Sequence, residues 1–435
     1  MRCSMAVKTR HFFNSQKTCS CSMTGVWRAV ACMTGIVVIF HSPRACTHIG
    51  RTMDMGSYFR SYADFHPEKM ASVPLLCSQL EEKEAIFGGA DKLRACINYV
   101  AKKYKDSCKC IVVANSCVSG VIGDDVESIT EEAEEELGLP VITVDCYGFL
   151  GSEFYDGYIK MTHKLVERFF KPQIKIPNSV IVLGDNGGPW NERNIEAYKM
   201  LKALGLNILG QFPSYMPLNE LDKVTQAEVS VIVGGYGRNL HDMTELANEL
   251  ETKFGVKSLG AIPGDLEKTK SWLNEKAREF SREADIERFL VEEEESFKQK
   301  VAKYLVRTQG KNTVLCLGRS LKYYHPGFVL DILEKLKMNL QGIVFLESYS
   351  PKESKELEKM LKTLTSVPIL EGELANKALN EADLVITTTE LKQNLKQVYL
   401  PLVGSSGAWG QLNFMQAIYN VLRSYKRGGG ITYVR

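Results

Sequence analysis

Three cysteines stand where a thiolate could bind an inorganic group: Cys21 in "CSMTG", Cys46 in "HSPRAC" and Cys117 in "NSCVSGVIGDDVE". Cys117 follows the apolar run "CIVVA" and so falls at the mouth of a buried strand, among small residues. Ser116, Ser119 and Gly120 leave room there and offer hydroxyl or amide hydrogen bonds to something bulky and anionic. Cys46 closes the apolar run "GIVVIFH", and Cys21 lies in a comparable small-residue turn. Thiolate sulfur is the usual protein ligand of iron-sulfur clusters, and nearby donors tune their potential. A cysteine is also an ordinary packing residue. Residue chemistry alone leaves the three equally readable as cluster ligands or as core thiols. Asp124 and Asp125 open the acidic segment "DDVESITEEAEEELG", where a helix dipole favours carboxylates and their oxygens can cap free amides.

The elements that must position these residues follow one repeated phrase: a short β-branched run, a glycine or small-residue turn, then a stretch with helical spacing. "CIVVANSC", "PVITVDCYG", "SVIVLGDNGG", "VSVIVGGYG", "NTVLCLGRS", "GIVFLESYS" and "ADLVITTTE" are its instances. Near-continuous apolar strands alternating with helices predict an α/β fold with parallel sheets covered on both faces. Proline- and lysine-rich "KPQIKIPNS" and the polar "VRTQGKN" divide the chain into three doubly wound, Rossmann-like domains, 1–175 (cluster-bearing), 176–305 and 306–435. The charged pattern "EKAREFSREADIERFLVEEEESFKQKVAKYL" reads as a solvated connecting helix with apolar residues on one side. Ligands collect at the carboxyl ends of the strands in such sheets. The glycine-rich loops after "VIVLG", "VIVGG" and "VLCLG" match neither GxGxxG with its downstream acid nor GxxxxGK[ST], so ATP or NAD binding through those motifs is not expected.

At 435 residues with a net charge of +2, the chain is long enough for two or three domains and lacks the basic excess of a nucleic-acid binder. The apolar stretch "AVACMTGIVVIF" is well short of the roughly 20 residues that span a bilayer. The residues before it lack the apolar core of a secretory signal. No membrane association and a cytoplasmic location are expected. Twelve cysteines in so large a chain do not indicate a disulfide scaffold, and no CxxC pair supports a zinc ribbon or a thioredoxin-type site. Cys108 and Cys110 in "CKC" read as packed thiols that alternation places on one strand face.

Taken together, "CSMTG" (Cys21, Gly25), "HSPRAC" (His41, Pro43, Cys46), "IFGGADKL" (Ile86 to Leu93) and "CVSGVIGDD" (Cys117 to Asp125) resemble, in order and spacing, the nitrogenase component 1 family. That family includes the nitrogenase molybdenum-iron subunits, the cofactor-assembly scaffolds, the protochlorophyllide reductase subunits and nitrogenase-like reductases. The named motifs cover the first 155 residues; the rest matches only by its strand-and-helix pattern. The resemblance implies that Cys21, Cys46 and Cys117 ligate an iron-sulfur cluster, a 4Fe-4S or a larger P-cluster-like group, shared at an interface with a homologous second subunit or a second copy. Ser152 in "GFLGS" occupies the place of a serine that in some subunits adds an oxygen ligand to the oxidised cluster. The implied electron donor is a separate ATP-hydrolysing iron-sulfur reductase protein, which fits the missing phosphate loop. A cluster-assembly scaffold is the alternative, and a structural partner without a cluster is a third.

The sequence departs from the family at two kinds of position. In the "HGPxGC" turn, Ser42 and Ala45 replace both glycines. The cysteine and histidine that anchor the large catalytic cofactor are also missing, with Gly235 and Gly410 as the nearest matches. A molybdenum-iron type cofactor would have no protein anchors here, so dinitrogen reduction by this chain is not expected. His41 reads either as a donor to cluster sulfide or as a satisfied buried histidine. The segment "RTMDMGSYFRSYADFH" (51–66) could border a subunit interface, as aromatics and arginine do. Tyr236, Arg238, His241, Arg319, Tyr323, Tyr324 and His325 follow strands of the second and third domains and could line a cavity there.

Overall fold

The computed structural model describes residues 21–53, 73–185, 192–234, 237–318, 325–346, 351–389, 391, 395–400 and 406–424. Most of the 51–66 segment therefore lies outside the described residues, as do Gly235, Tyr236, Arg319, Tyr323 and Tyr324.

Three sheets follow one another along the chain, and every strand pair in them is parallel. The first contains β1 (Ile36–His41), β2 (Leu75–Cys77), β3 (Cys110–Asn115) and β4 (Val141–Asp145), in the order β2-β1-β3-β4. The second contains β5 (Ile176–Leu183), β6 (Asn207–Phe212), β7 (Ala227–Ile232) and β8 (Lys257–Ala261), in the order β6-β5-β7-β8. The third contains β9 (Asn312–Leu317), β10 (Asn339–Phe345), β11 (Ile369–Leu370), β12 (Leu384–Thr387) and β13 (Gln397–Tyr399), in the order β11-β10-β9-β12-β13. The expected α/β architecture of Rossmann-like parallel sheets is the one observed.

Both faces of each sheet are buried, which is why the central strands read as unbroken apolar runs. On the first sheet, Val37, Ile39, Ile111 and Val113 pack on Leu93, Ile97 and Val100 of the helix Ala90–Lys103. The opposite face, with Val38, Phe40, Val112 and Ala114, meets Met23, Trp27, Tyr158 and Met161, and that core continues without a break into Ile181, Leu183 and Met243 of the second sheet's layer. Burying each such side chain stabilises the fold by about 1.5–3 kcal/mol, so the first two sheets are welded by a common apolar layer. The connecting helix Glu283–Thr308 sends Ile286 and Leu290 into the core of the second sheet, and Phe297 and Tyr304 into that of the third.

One expectation fails at "CKC". Cys108 and Cys110 are both buried thiols, but they belong to the cores on opposite faces of the first sheet. β3 begins only at Cys110. The amides of Lys109 and Cys110 both turn to the Gly35 carbonyl, so strand alternation does not reach back to Cys108.

Candidate metal centre

In the first sheet the chain leaves β1 toward β2 on one side and returns past β1 to β3 on the other, so the strand order reverses between β1 and β3. A crevice opens outside the carboxyl ends of the strands at such a switch point. Register places His41 opposite Asn115 and Asn115 opposite Asp145, so the three strands end level. Cys46 follows β1 in the first turn of the helix Arg44–Met53, and Cys117 opens the short helix Cys117–Ile122 after β3. Two of the three cysteines thus flank the switch point.

Cys21 reaches the same edge by helix packing. It is the residue before the wholly buried helix Ser22–Val30, and its carbonyl accepts the Thr24 N–H at 3.1 Å and the Thr24 hydroxyl at 2.6 Å. That helix crosses the helix Phe154–Phe169 with no room to spare. A Cβ at Gly25 would stand 1.9 Å from the Phe154 carbonyl oxygen, and one at Gly157 would stand 1.9 Å from that of Ser22. The paired glycines let the two backbones touch and seat Cys21 near the loop that follows β4. Burial is the main cause that pushes the Cys46 thiol up, and Cys21, Cys117 and Cys77 add to it in that order. Among the described residues no three of these sulfurs lie within 4.8 Å of one another.

Cys117 Sγ receives the Gly148 N–H at 3.1 Å, an interaction that strengthens when the sulfur is a thiolate, and donates to the Cys146 carbonyl at 3.8 Å. Cys110 and Cys146 donate to the carbonyls of Ile111 and Val144. Burial raises the Cys146 thiol to about 12 and leaves it inert. The loop that supplies Gly148 continues to Ser152, whose hydroxyl is buried and finds no hydrogen-bond partner among the described residues.

Several neighbours play roles other than those expected. The Ser119 hydroxyl turns inward to Asn115, to the Ser116 carbonyl at 2.9 Å and to the His41 carbonyl at 3.4 Å. Ser116 caps the Cys117 helix by accepting the Ser119 N–H. Neither serine is spare for a bound group, because both hold the turn. Gly120 is required by the Tyr147 ring, which would lie 2.5 Å from an added Cβ. Asp125 caps the helix Val126–Leu137 as expected, accepting from Ser128 N at 3.1 Å. Asp124 does not open that helix. Its carboxylate accepts the Gly89 N–H at 2.7 Å and bonds His41 Nε2 at 3.1 Å, while His41 Nδ1 meets Ser78 Oγ at 2.9 Å. His41 is therefore a satisfied buried histidine, and burial lowers its pKa against the opposing pull of Asp124.

The described residues among those expected to line a cavity in the second and third domains have these partners. Arg238 pairs with Asp156 at 2.6 Å and Asp242 at 3.5 Å, tying the second sheet's layer to the first. His241 is exposed and pairs with Glu245 at 3.3 Å. His325 Nδ1 accepts the Gly327 N–H at 3.1 Å. Gly410 is buried in the first turn of the helix Trp409–Arg423. Sequence reasoning missed Gly148, whose amide acts whatever its side chain.

Side chains around the cysteines are exposed and apolar. Ile86 and Phe87 are 75% and 79% exposed, Val121 75% and Leu150 74%. The helix carrying the first pair touches the Cys117 helix, and Leu150 follows Gly148 in the loop that meets Cys117 Sγ. An apolar rim of this kind marks an interaction surface.

Parallel Rossmann-like sheets, the first with cysteines in the helices that follow β1 and β3, define a cysteine-bearing α/β protein. The chain belongs to the nitrogenase component 1 type oxidoreductase family, whose profile matches residues 21–422. It is 25% identical over 276 residues to the nitrogenase molybdenum-iron protein alpha chain of Methanosarcina barkeri, covering 61% of this chain and 48% of that one. It is 29% identical over 253 residues to the nitrogenase iron-molybdenum cofactor biosynthesis protein NifE of Clostridium pasteurianum, covering 56% and 52%. The chain thus spans about half the length of these curated relatives. The solved structure of nitrogenase Cp1 at pH 5 superposes with a TM-score of 0.65 at 15% identity, over 97% of this chain and 90% of that one, a likeness of fold. Among the described residues no helix is long and apolar enough to cross a membrane.

Proposed function

We propose that this chain is a subunit of a nitrogenase-like reductase in which Cys21, Cys46 and Cys117, with Ser152 as an additional oxygen ligand, hold an iron-sulfur cluster. The cluster would lie at a seam with a homologous subunit or a second copy, and a separate ATP-hydrolysing iron-sulfur protein would supply electrons. The observation that supports this reading is that Cys46 and Cys117 stand in the helices that follow β1 and β3 at the switch point of the first sheet, near exposed apolar side chains, with Cys21 at the start of a helix packed under the same sheet. When bound, such a cluster stores and passes single electrons. The chain's own part is to hold the sulfurs, to donate the Gly148 amide to Cys117 and to present a rim that a partner covers, excluding water. Gly410 at the start of the last helix offers no side-chain ligand, in keeping with a chain that does not itself anchor a dinitrogen-reducing cofactor.

A cluster-assembly scaffold is the second reading, favoured by the similarity to a cofactor biosynthesis protein. Anaerobic co-purification of the chain with its partner, followed by iron and sulfide determination, tests both. A reductase consumes electrons and ATP in turnover, whereas a scaffold releases its cluster to an acceptor protein. A preparation that carries no iron under these conditions contradicts both readings and leaves the structural partner.

A further inference from the structure

The helix Gly237–Phe254, which follows β7, carries a histidine and two carboxylates away from the cysteines. A ring nitrogen of His241 and one carboxylate oxygen each of Asp242 and Glu245 lie within 4.8 Å of one another. His241 and Glu245 stand one turn apart, so they share a helix face. Their Nε2 and Oε1 atoms are 3.3 Å apart and both side chains are exposed, which leaves the pair open to solvent. Asp242 is the buried member, with a side chain only 6% exposed. Its Oδ1 stands 3.5 Å from Arg238 Nε, at the limit of a hydrogen bond. Its Oδ2 is buried and meets no donor among the described residues. A carboxylate oxygen left in that state is costly, and a native fold usually supplies a partner. Arg238 cannot supply it fully, because Asp156 draws its Nη2 to 2.6 Å. One guanidinium thus faces three carboxylates, those of Asp156, Asp242 and Glu245, which leaves two negative charges unbalanced.

We propose that His241, Asp242 and Glu245 bind a divalent transition-metal ion of the zinc class, with water in the remaining position. In a tetrahedral site, ligand atoms ~2.0–2.2 Å from the ion stand about 3.4 Å from one another. The separation of His241 Nε2 from Glu245 Oε1 has that value before any ion is bound. An imidazole with two carboxylates suits zinc or manganese, whereas thiolates suit iron-sulfur groups, so this site is distinct in chemistry from the cysteine edge. The ion offsets the two unbalanced charges and pairs the free oxygen of Asp242. It also fixes the start of the helix beside the Arg238–Asp156 pair, which ties the second sheet's layer to the first.

The test titrates the full chain with manganese and follows the electron paramagnetic resonance signal of the free ion, which binding removes. Manganese prefers nitrogen and oxygen to thiolate, so the cysteines do not compete for it. Zinc is then added to displace it. Wild type is expected to take up one manganese ion per chain and to release it to zinc. His241→Ala, Asp242→Asn and Glu245→Gln should each weaken binding by at least about tenfold, the change that even a residue behind a ligand produces. Cys117→Ala should bind as wild type does. So should His163→Ala, which removes another histidine–glutamate pair, one whose Glu249 is already held by Lys253 at 2.8 Å and has no third ligand. Circular dichroism checks that each variant is folded, and Glu245→Gln, an exposed change, keeps the test open if Asp242→Asn is not. Absence of manganese binding at millimolar concentration overturns the proposal. So does equal binding by wild type and Glu245→Gln, or a loss of binding in His163→Ala as large as that in His241→Ala.

Discussion

At the carboxyl edge of the first sheet β2 ends in Cys77 and β3 is followed by Cys117, whereas at the same edge of the second sheet β5 is followed by Asp185 and β6 by Tyr215. Both sheets reverse their strand order beside their first strand, so both open a crevice there. At the second sheet's edge the described charged and polar groups bond one another. Arg28, from the helix that starts after Cys21, reaches across to pair with Asp185 through Nε at 2.5 Å, and it also bonds Tyr215, whose hydroxyl donates to Asp185 at 2.6 Å. The guanidinium also lies 5.4 Å from the Tyr215 ring centroid. In the first sheet Cys117 accepts an amide, and the surrounding apolar side chains face outward. The parallel fold makes the place; residue type decides whether the chain fills it or leaves it for a ligand and a partner.

The sharpest way to break that contrast is to open the filled edge. Arg28→Met removes the guanidinium that pairs with the largely buried Asp185 carboxylate and is expected to cost about 3–5 kcal/mol. Urea unfolding measures the loss, and iron per folded chain should not change. A large loss of iron with little loss of stability would mean that the two edges are not separate in function.

A smaller effect is expected where the second sheet's layer grips the third. Glu196 accepts the Ala408 and Trp409 amides at 2.8 and 2.5 Å and so holds the start of the helix Trp409–Arg423. Burial, helped by Glu293, raises its pKa from 4.5 to about 7 against the pull of those amides and Lys199. The folded chain then binds this proton more tightly than the unfolded chain. Its contribution is present in full below pH 4.5 and is lost as pH rises through about 7. Relative to Glu196→Gln, wild type should lose at most about 3 kcal/mol across that window. Parallel stability curves for the two proteins would refute the burial argument.

The smallest effect belongs to the thiol edge itself. Asp125→Ala removes the cap of the helix Val126–Leu137 and should cost about 1 kcal/mol without altering bound iron, as read by chemical denaturation and metal analysis.

The central strands were legible in the sequence because burial on both faces leaves unbroken β-branched runs, as in "CIVVA" and "SVIVLG". The edge strands were not. "LLC" at 75–77 is too short to show a period, and β6 carries Gly210 and Gln211 where an apolar run would be needed to see it. Cys117, Cys46 and Cys21 could be found because they close or open recognisable turns. Asp124 could not be assigned, since its partner His41 lies 83 residues away and only the register of β1 with β3 brings them together. The donor to Cys117 is a backbone amide, which leaves no trace in residue type.

The most direct measurement is anaerobic iron and labile-sulfide determination, with electron paramagnetic resonance, on Cys117→Ala beside Cys96→Ala. Loss of iron and of the cluster signal in the first, with both retained in the second, is the predicted result. Equal iron in the two variants would contradict the assignment of the carboxyl edge of the first sheet as a metal centre.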